Sequence, residues 1–284
     1  MVDGTLDERS PASPAVATSG HAVTLAWTGT DFHLNVIASG DGHRFIGKQR
    51  LRYTSSARVS VSSTRPGAQG SDTETVALGP ALAATPTGLC LAWTGTDRRL
   101  NAARDPLSRS VPVTLKERSD VAPALSQRRE ELLLAWTGTD RHVNLAVSSR
   151  GQFGQAARLE PTTSVSPAVC AVGDELVLAW TGTDRHLNLA TWRGGSLMRS
   201  VRLDETTSEA PAVCAVGDEL VLAWTGTDRH LNLATWRGGS LMRSARLDET
   251  TSEAPAVCAI GREVILAWTG TDRHLNIRRG VMAA

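Results

Sequence analysis

The hexapeptide Ala-Trp-Thr-Gly-Thr-Asp occurs six times, placing tryptophans at Trp27, Trp93, Trp136, Trp180, Trp224 and Trp268. Successive spacings are 66, 43, 44, 44 and 44 residues, so the chain repeats with a period of 44 and carries 22 extra residues in its first interval. A proline stands 13 residues before each tryptophan, at Pro14, Pro80, Pro123, Pro167, Pro211 and Pro255, which sets the phase of the repeat a second time. A unit of this length cannot bury its own apolar face and must stack on its neighbours in a solenoid, a propeller or an array.

One unit, Pro211 to Glu249, shows what is being stacked. The apolar and β-branched runs PAVCAV, LVLAWTGT, LNLATW and LMRSARL are separated by the turn-forming GDE, DRH and RGGS. No stretch holds a helical apolar period, so each unit reads as four short antiparallel strands. Four strands in about 44 residues is the size of a propeller blade.

The two ends of the chain distinguish a closed ring from an open stack. A leucine lies 8 residues before most of the prolines, as Leu115, Leu159, Leu203 and Leu247, where it ends the fourth strand of a unit. Leu6 stands 8 residues before Pro14 although no unit precedes it, and the chain stops 16 residues after Trp268, where the last fourth strand would begin. The N-terminal segment therefore supplies the strand that the last unit lacks, as a ring requires if it is to leave no open strand edge. The expected fold is all-β: one six-bladed β-propeller domain spanning residues 1–284, four strands per blade, sealed by its N-terminal strand. The 22 extra residues, 58–79, are polar with Gly and Pro and read as a loop or an added hairpin between blades one and two.

Composition narrows the partners. With 30 Lys and Arg against 29 Asp and Glu, acid and base interleaved, the chain lacks the basic face of a nucleic-acid binder. No apolar run approaches the ~20 residues needed to cross a bilayer. The N-terminus MVDGTLDERSPAS has neither the basic nor the apolar part of a secretory signal, so a cytoplasmic location is the default expectation, with release by another route left open. Cys170, Cys214 and Cys258 recur at one first-strand position and Cys90 sits in a second strand, a pattern of free buried thiols rather than a disulfide framework.

Alternation in the second strand puts Leu220, Leu222 and Trp224 on one face and Val221, Ala223 and Thr225 on the other. Both faces are apolar, as blades packed face to face demand, and the motif tryptophans read first as packing between blades. The Asp that ends the motif opens the hairpin between strands two and three, where a short carboxylate accepts backbone N–H groups. An Asn follows it by four residues, as in Asn144, Asn188, Asn232 and Asn276, and needs a partner, for which the Asp or Thr of the hairpin is nearest.

The residues at the hairpin tip are the candidate ligand-binding set: Asp140, Arg141 and His142; Asp184, Arg185 and His186; Asp228, Arg229 and His230; Asp272, Arg273 and His274. Blades one and two depart from it, with Phe32 in place of the Arg and Arg99 in place of the His. In propeller geometry these hairpins share a rim with the links from strand four to the next blade, which places Glu205 and Glu249 beside them. Trp192 and Trp236, near the end of strand three, are extra aromatics that either stack a ligand or cover the blade's edge. Carboxylate, guanidinium and amide groups bridge sugar hydroxyls, and an indole face covers the apolar side of a pyranose.

The repeated AWTGTD…LN unit resembles bacterial sialidase-like β-propeller repeats, and its layout of one site per blade is similar to lectin propellers such as tachylectin-2 and the fungal fucose-binding lectins. The resemblance implies carbohydrate binding. The sialidase box S-x-D-x-G-x-T-W lies between strands three and four, one hairpin later than WTGTD here, so no ligand set transfers with it.

Catalysis is not expected. A glycosidase needs an asymmetric pair of carboxylates, or in sialidases a nucleophilic Tyr beside an Arg cluster, and Tyr53 is the chain's one tyrosine. Residues 169–212 and 213–256 differ at one position, Val201 against Ala245, so the same side chains recur instead. No cofactor and no metal site is expected, since the histidines stand singly on separate hairpins. Equal weak sites on a rigid ring gain avidity on a repetitive surface. The chain thus reads as a monomeric, multivalent glycan-binding propeller whose partners are glycans or glycoconjugates; the alternative is a scaffold that binds proteins.

Overall fold

The computed structural model describes residues 2–62, 72–108, 111–149, 151–193 and 195–281. Six sheets, each with four long antiparallel strands, follow one another along the chain. Blade five is typical: Ala212–Val216, Glu219–Thr225, His230–Arg237 and Ser240–Thr250 run from the axis outward. The innermost strands touch in cyclic order, and the one at Ala256–Ile260 touches the one at Ala15–Ser19, so the ring is closed. Among the described residues every regular element is a strand, and no helix is long and apolar enough to cross a membrane.

The core is six separate interfaces rather than one centre, and side-chain alternation explains why. Leu220, Leu222 and Trp224 pack against Cys170, Val177 and Leu189 of blade four, while Val221, Ala223 and Leu231 pack against Val264, Leu266 and Trp268 of blade six. Each motif tryptophan thus seals its blade to the preceding one, and all six are nearly inaccessible. Cys90, Cys170, Cys214 and Cys258 are free and buried, and loss of hydration pushes the Cys90 thiol up to about 11 and the Cys170 thiol to about 12.

The last blade takes its outermost strand from the other end of the chain. Val2–Arg9 pairs antiparallel with His274–Val281, with Thr5 opposite Asn276. The seam is bonded like every other blade. Thr269 Oγ1 donates to the Ala12 carbonyl at 2.7 Å, as Thr225 Oγ1 donates to the Glu253 carbonyl at 2.7 Å. The same hydroxyl in Thr28, Thr94, Thr137 and Thr181 donates to the link that follows its own blade. A buried belt of six such bonds therefore ties each second strand to the link leaving its blade.

The extra residues between blades one and two form a hairpin, Ala57–Ser62 paired with Asp72–Ala77, whose segment 63–71 lies outside the described residues. Where it returns to the ring, Gly79 passes so close to the neighbouring link that a Cβ there would lie 2.3 Å from the Ser13 carbonyl oxygen.

Candidate functional site

At the hairpin tip the backbone comes first. Gly226 N–H bonds to the His230 carbonyl and Arg229 N–H to the Gly226 carbonyl, both at 2.8 Å, which encloses Thr227, Asp228 and Arg229 in a tight three-residue loop. The third residue of such a loop must be left-handed, a position glycine usually takes. Here it is Arg98, Arg141, Arg185, Arg229 and Arg273, with φ between 66 and 68°, and Phe32 in blade one with φ 62°.

Most of the remaining polar groups hold this turn together. Asp228 Oδ1 accepts the His230 N–H at 3.1 Å, and Oδ2 accepts from Arg246 Nε at 2.8 Å. The ion pairs Arg202–Asp184 and Arg158–Asp140 repeat it at 2.8 Å. The guanidinium bonded to each carboxylate holds Asp140, Asp184 and Asp228 below the ordinary carboxylate range. His142, His186 and His230 meet the carbonyls of Leu159, Leu203 and Leu247 through Nδ1 at 2.8–2.9 Å, and His274 meets Leu6 at 3.0 Å. The Asn partner differs from the expected one: Asn232 Nδ2 donates to the His230 backbone carbonyl at 2.9 Å rather than to the Asp or the motif Thr. Gly226 is required by crowding, since a Cβ there would lie 2.6 Å from Asp228 Oδ1.

The fourth strand makes this corner possible by bulging. His230 lies opposite Thr250 and Asn232 opposite Arg246, so the outer strand carries two residues more than its partner over the same length, and those residues turn the Leu247 carbonyl and Arg246 toward the hairpin. Arg158, Arg202 and Arg246 are partners of the candidate residues that the sequence reading missed; their recurrence 18 residues after Asp140, Asp184 and Asp228 is the signal that could have found them.

Two placements differ from expectation. Glu205 and Glu249 belong to the fourth strands, not the links, and Glu249 is ion-paired with Arg278 of blade six. Trp192 and Trp236 lie on the opposite rim from the hairpins, because strand three runs away from its hairpin: six residues at about 3.3 Å each put Trp236 some 20 Å from His230. The candidate residues therefore form two groups at the two ends of the barrel-like ring. Of the hairpin group, Arg141, Arg185 and Arg229 are exposed and make no side-chain bond or ion pair among the described residues.

The opposite rim, built from the turns between strands one and two and between three and four, opens into clefts between blades. Between blades four and five a cavity of about 130 Å³ is lined by Trp236, Arg199, Glu175, Asp218 and Arg237. Between blades two and three a wider one of about 570 Å³ runs along the blade edge toward the hairpin end and brings Phe153 and Trp136 together with Lys116, Glu117 and Gln155. Between blades five and six lies a third, of about 440 Å³. Trp192 instead packs into the interface of blades three and four beside Leu197, where its indole Nε1 is buried and makes no hydrogen bond among the described residues. On the axis, the six repeat prolines ring a pocket of about 190 Å³ at the hairpin end.

Among the described residues no three His, Cys, Asp or Glu side chains gather as a metal site requires. Tyr53 is buried, with its ring stacked 4.7 Å from Trp93 in the core between blades one and two.

The fold and these clefts define a six-bladed propeller with repeated surface recesses, and solved structures share that fold. The chain superposes on a mutant of Aleuria aurantia lectin in complex with alpha-methyl-L-fucoside with a TM-score of 0.65, at 14% identity, covering 99% of this chain and 94% of that one. AofleA from Arthrobotrys oligospora gives 0.67 at 9% identity over 100% and 87% of the two chains, and the BP39L lectin from Burkholderia pseudomallei gives 0.65 at 15% over 95% and 82%. No protein-family model matches the chain, and a search of curated proteins finds no match.

Proposed function

We propose that this chain is a multivalent carbohydrate-binding propeller of lectin type, monomeric and without catalytic activity, whose sites are the recesses between its blades. The observation that carries this reading is the lining of two of those recesses: an aromatic ring beside charged or amide groups, as Trp236 with Arg199 and Glu175, and Phe153 with Lys116 and Gln155. Such a lining suits a sugar, whose one face is C–H and whose edge is hydroxyl. The fold shared with lectins that were solved with a fucoside supports the same reading.

The hairpin rim is the second location for a site. Its Asp and His side chains are already bonded within the blade, which leaves Arg141, Arg185 and Arg229 to meet a ligand there. A glycan array probed with the purified chain tests the function, and two variants locate it. Trp236→Ala together with Phe153→Ala should lower binding at least tenfold, whereas Arg229→Ala with His230→Ala should leave it unchanged. The reverse outcome moves the sites to the hairpin rim. A chain that binds no glycan but captures a defined protein is a scaffold, and the carbohydrate reading is then wrong.

A further inference from the structure

Blades four and five are near-copies, so the walls they present to their following neighbours are the same. Val172, Glu175, Val177, Thr191 and Arg199 of blade four correspond one to one with Val216, Glu219, Val221, Thr235 and Arg243 of blade five. What faces each wall is different. Across from blade four stand Trp236 and Asp218 of blade five. Across from blade five, the register position of Trp236 is held by Gly280, since Leu220 pairs with Trp236 and Val264 with Gly280. The position of Asp218 is held by Arg262.

Both exchanges act in the same direction. With no indole facing it, the cleft between blades five and six measures about 440 Å³ against about 130 Å³ between blades four and five, within the range of about 300–1,000 Å³ usual for ligand pockets. The cleft between blades four and five is lined by two guanidinium and two carboxylate groups, whereas this one has Arg237, Arg243 and Arg262 against Asp218 and Glu219. One acid is engaged within the blade, Glu219 lying 3.5 Å from Arg237. Arg262 is exposed at the mouth and makes no ion pair among the described residues.

We propose that the cleft between blades five and six is a site for a carboxylate-bearing sugar, with Arg262 as the group that receives the carboxylate. This rests on the carbohydrate reading above and adds to it that one cleft has a ligand class of its own. A guanidinium fork meets a carboxylate with two parallel N–H···O bonds, a fit no hydroxyl offers. Thr235, in the wall of the cleft, supplies a hydroxyl to the sugar. With no aromatic floor, selectivity here comes from charge, whereas the clefts holding Trp236 or Phe153 select by ring stacking.

The test is calorimetric titration of the whole chain with methyl β-D-glucuronoside and, separately, with methyl β-D-glucoside and methyl α-L-fucoside. The glucuronoside should bind at least tenfold more tightly than the glucoside and weaken as salt is raised. Arg262→Asp puts at this position the residue type that Asp218 supplies between blades four and five and should abolish that preference, leaving any fucoside binding unchanged. Gly280→Trp fills the cleft without touching a charge and should abolish it as well; thermal unfolding checks that both variants fold. Equal binding of glucuronoside and glucoside, or a preference that survives Arg262→Asp, overturns the inference while neutral-sugar binding would keep the carbohydrate reading. Binding of no sugar at all overturns both.

Discussion

The two rims of this ring are built by the same six repeats, yet one is nearly uniform and the other is not. At the hairpin rim every blade has a left-handed residue at the same position, an Arg in five blades and Phe32 in the first, with the same Asp-capped turn and the same Thr hydroxyl on its outgoing link. At the opposite rim, the register position held by Trp236 is Ser39, Asp105, Ser148, Trp192 and Gly280 in the other blades. Each rim carries its own kind of constraint. Hairpin-rim residues bond to one another and to the backbone, so a change in one disturbs several partners. Residues of the other rim border open recesses, and a change there alters the shape of a cleft and little else.

That contrast can be broken in several ways, beginning with the largest effect. Gly226→Ala forces a Cβ against Asp228 Oδ1 and Asn232 Nδ2 and should cost about 2–3 kcal/mol in denaturant unfolding, on the scale of other buried clashes and broken networks. Trp236→Gly, which copies blade six onto blade five, should cost less than Gly226→Ala although far more atoms are removed, because the indole is only partly buried at the cleft. If the tryptophan proves the costlier, the division between the rims fails. Thr225→Val removes the hydroxyl that donates to the partly buried Glu253 carbonyl and should cost about 1–2 kcal/mol.

Smaller effects sharpen the comparison. Asp228 has a lowered pKa in the folded chain because of its bond from Arg246, so this stabilisation is complete above the ordinary value of 3.8 and is lost as pH falls through the lower folded value. Arg246→Met should bring the Asp228 titration, followed by carboxyl NMR, back toward 3.8 and flatten the acid limb of the stability curve. Smallest of all, Arg229→Gly relieves a left-handed φ of 67° and should leave stability unchanged or raise it by up to about 1 kcal/mol. A clear loss of stability would mean that the Arg229 side chain has a structural partner.

Much of the architecture was legible because it is written six times. The spacing of Trp27 through Trp268 fixes the number of blades, and the phase of Leu6 against Pro14 identifies the strand that closes the ring. Cys170, Cys214 and Cys258 were legible as separate thiols for the same reason: equivalent positions in successive blades stay apart. The candidate site was legible only in part. Asp228 was recognisable as a turn residue, but its second partner, Arg246, comes from a bulged strand, and a bulge has no signature in an alternating pattern. Glu249 was read as part of a link for that reason, since the two added residues carry the strand on to Thr250.

The sequence by itself determined the blade count, the four strands of each blade, the two buried faces of each second strand and the closure of the ring. These follow from periodicity, and periodicity is a property of one chain read in order. Only the tertiary structure decided which candidate residues share a rim, which Asp and His groups are already bonded, and which interfaces open into clefts. Those depend on pairs of surfaces from different blades. Blades four and five, alike at all but one position through this stretch, become unlike in the ring because one faces Trp236 and the other faces Gly280.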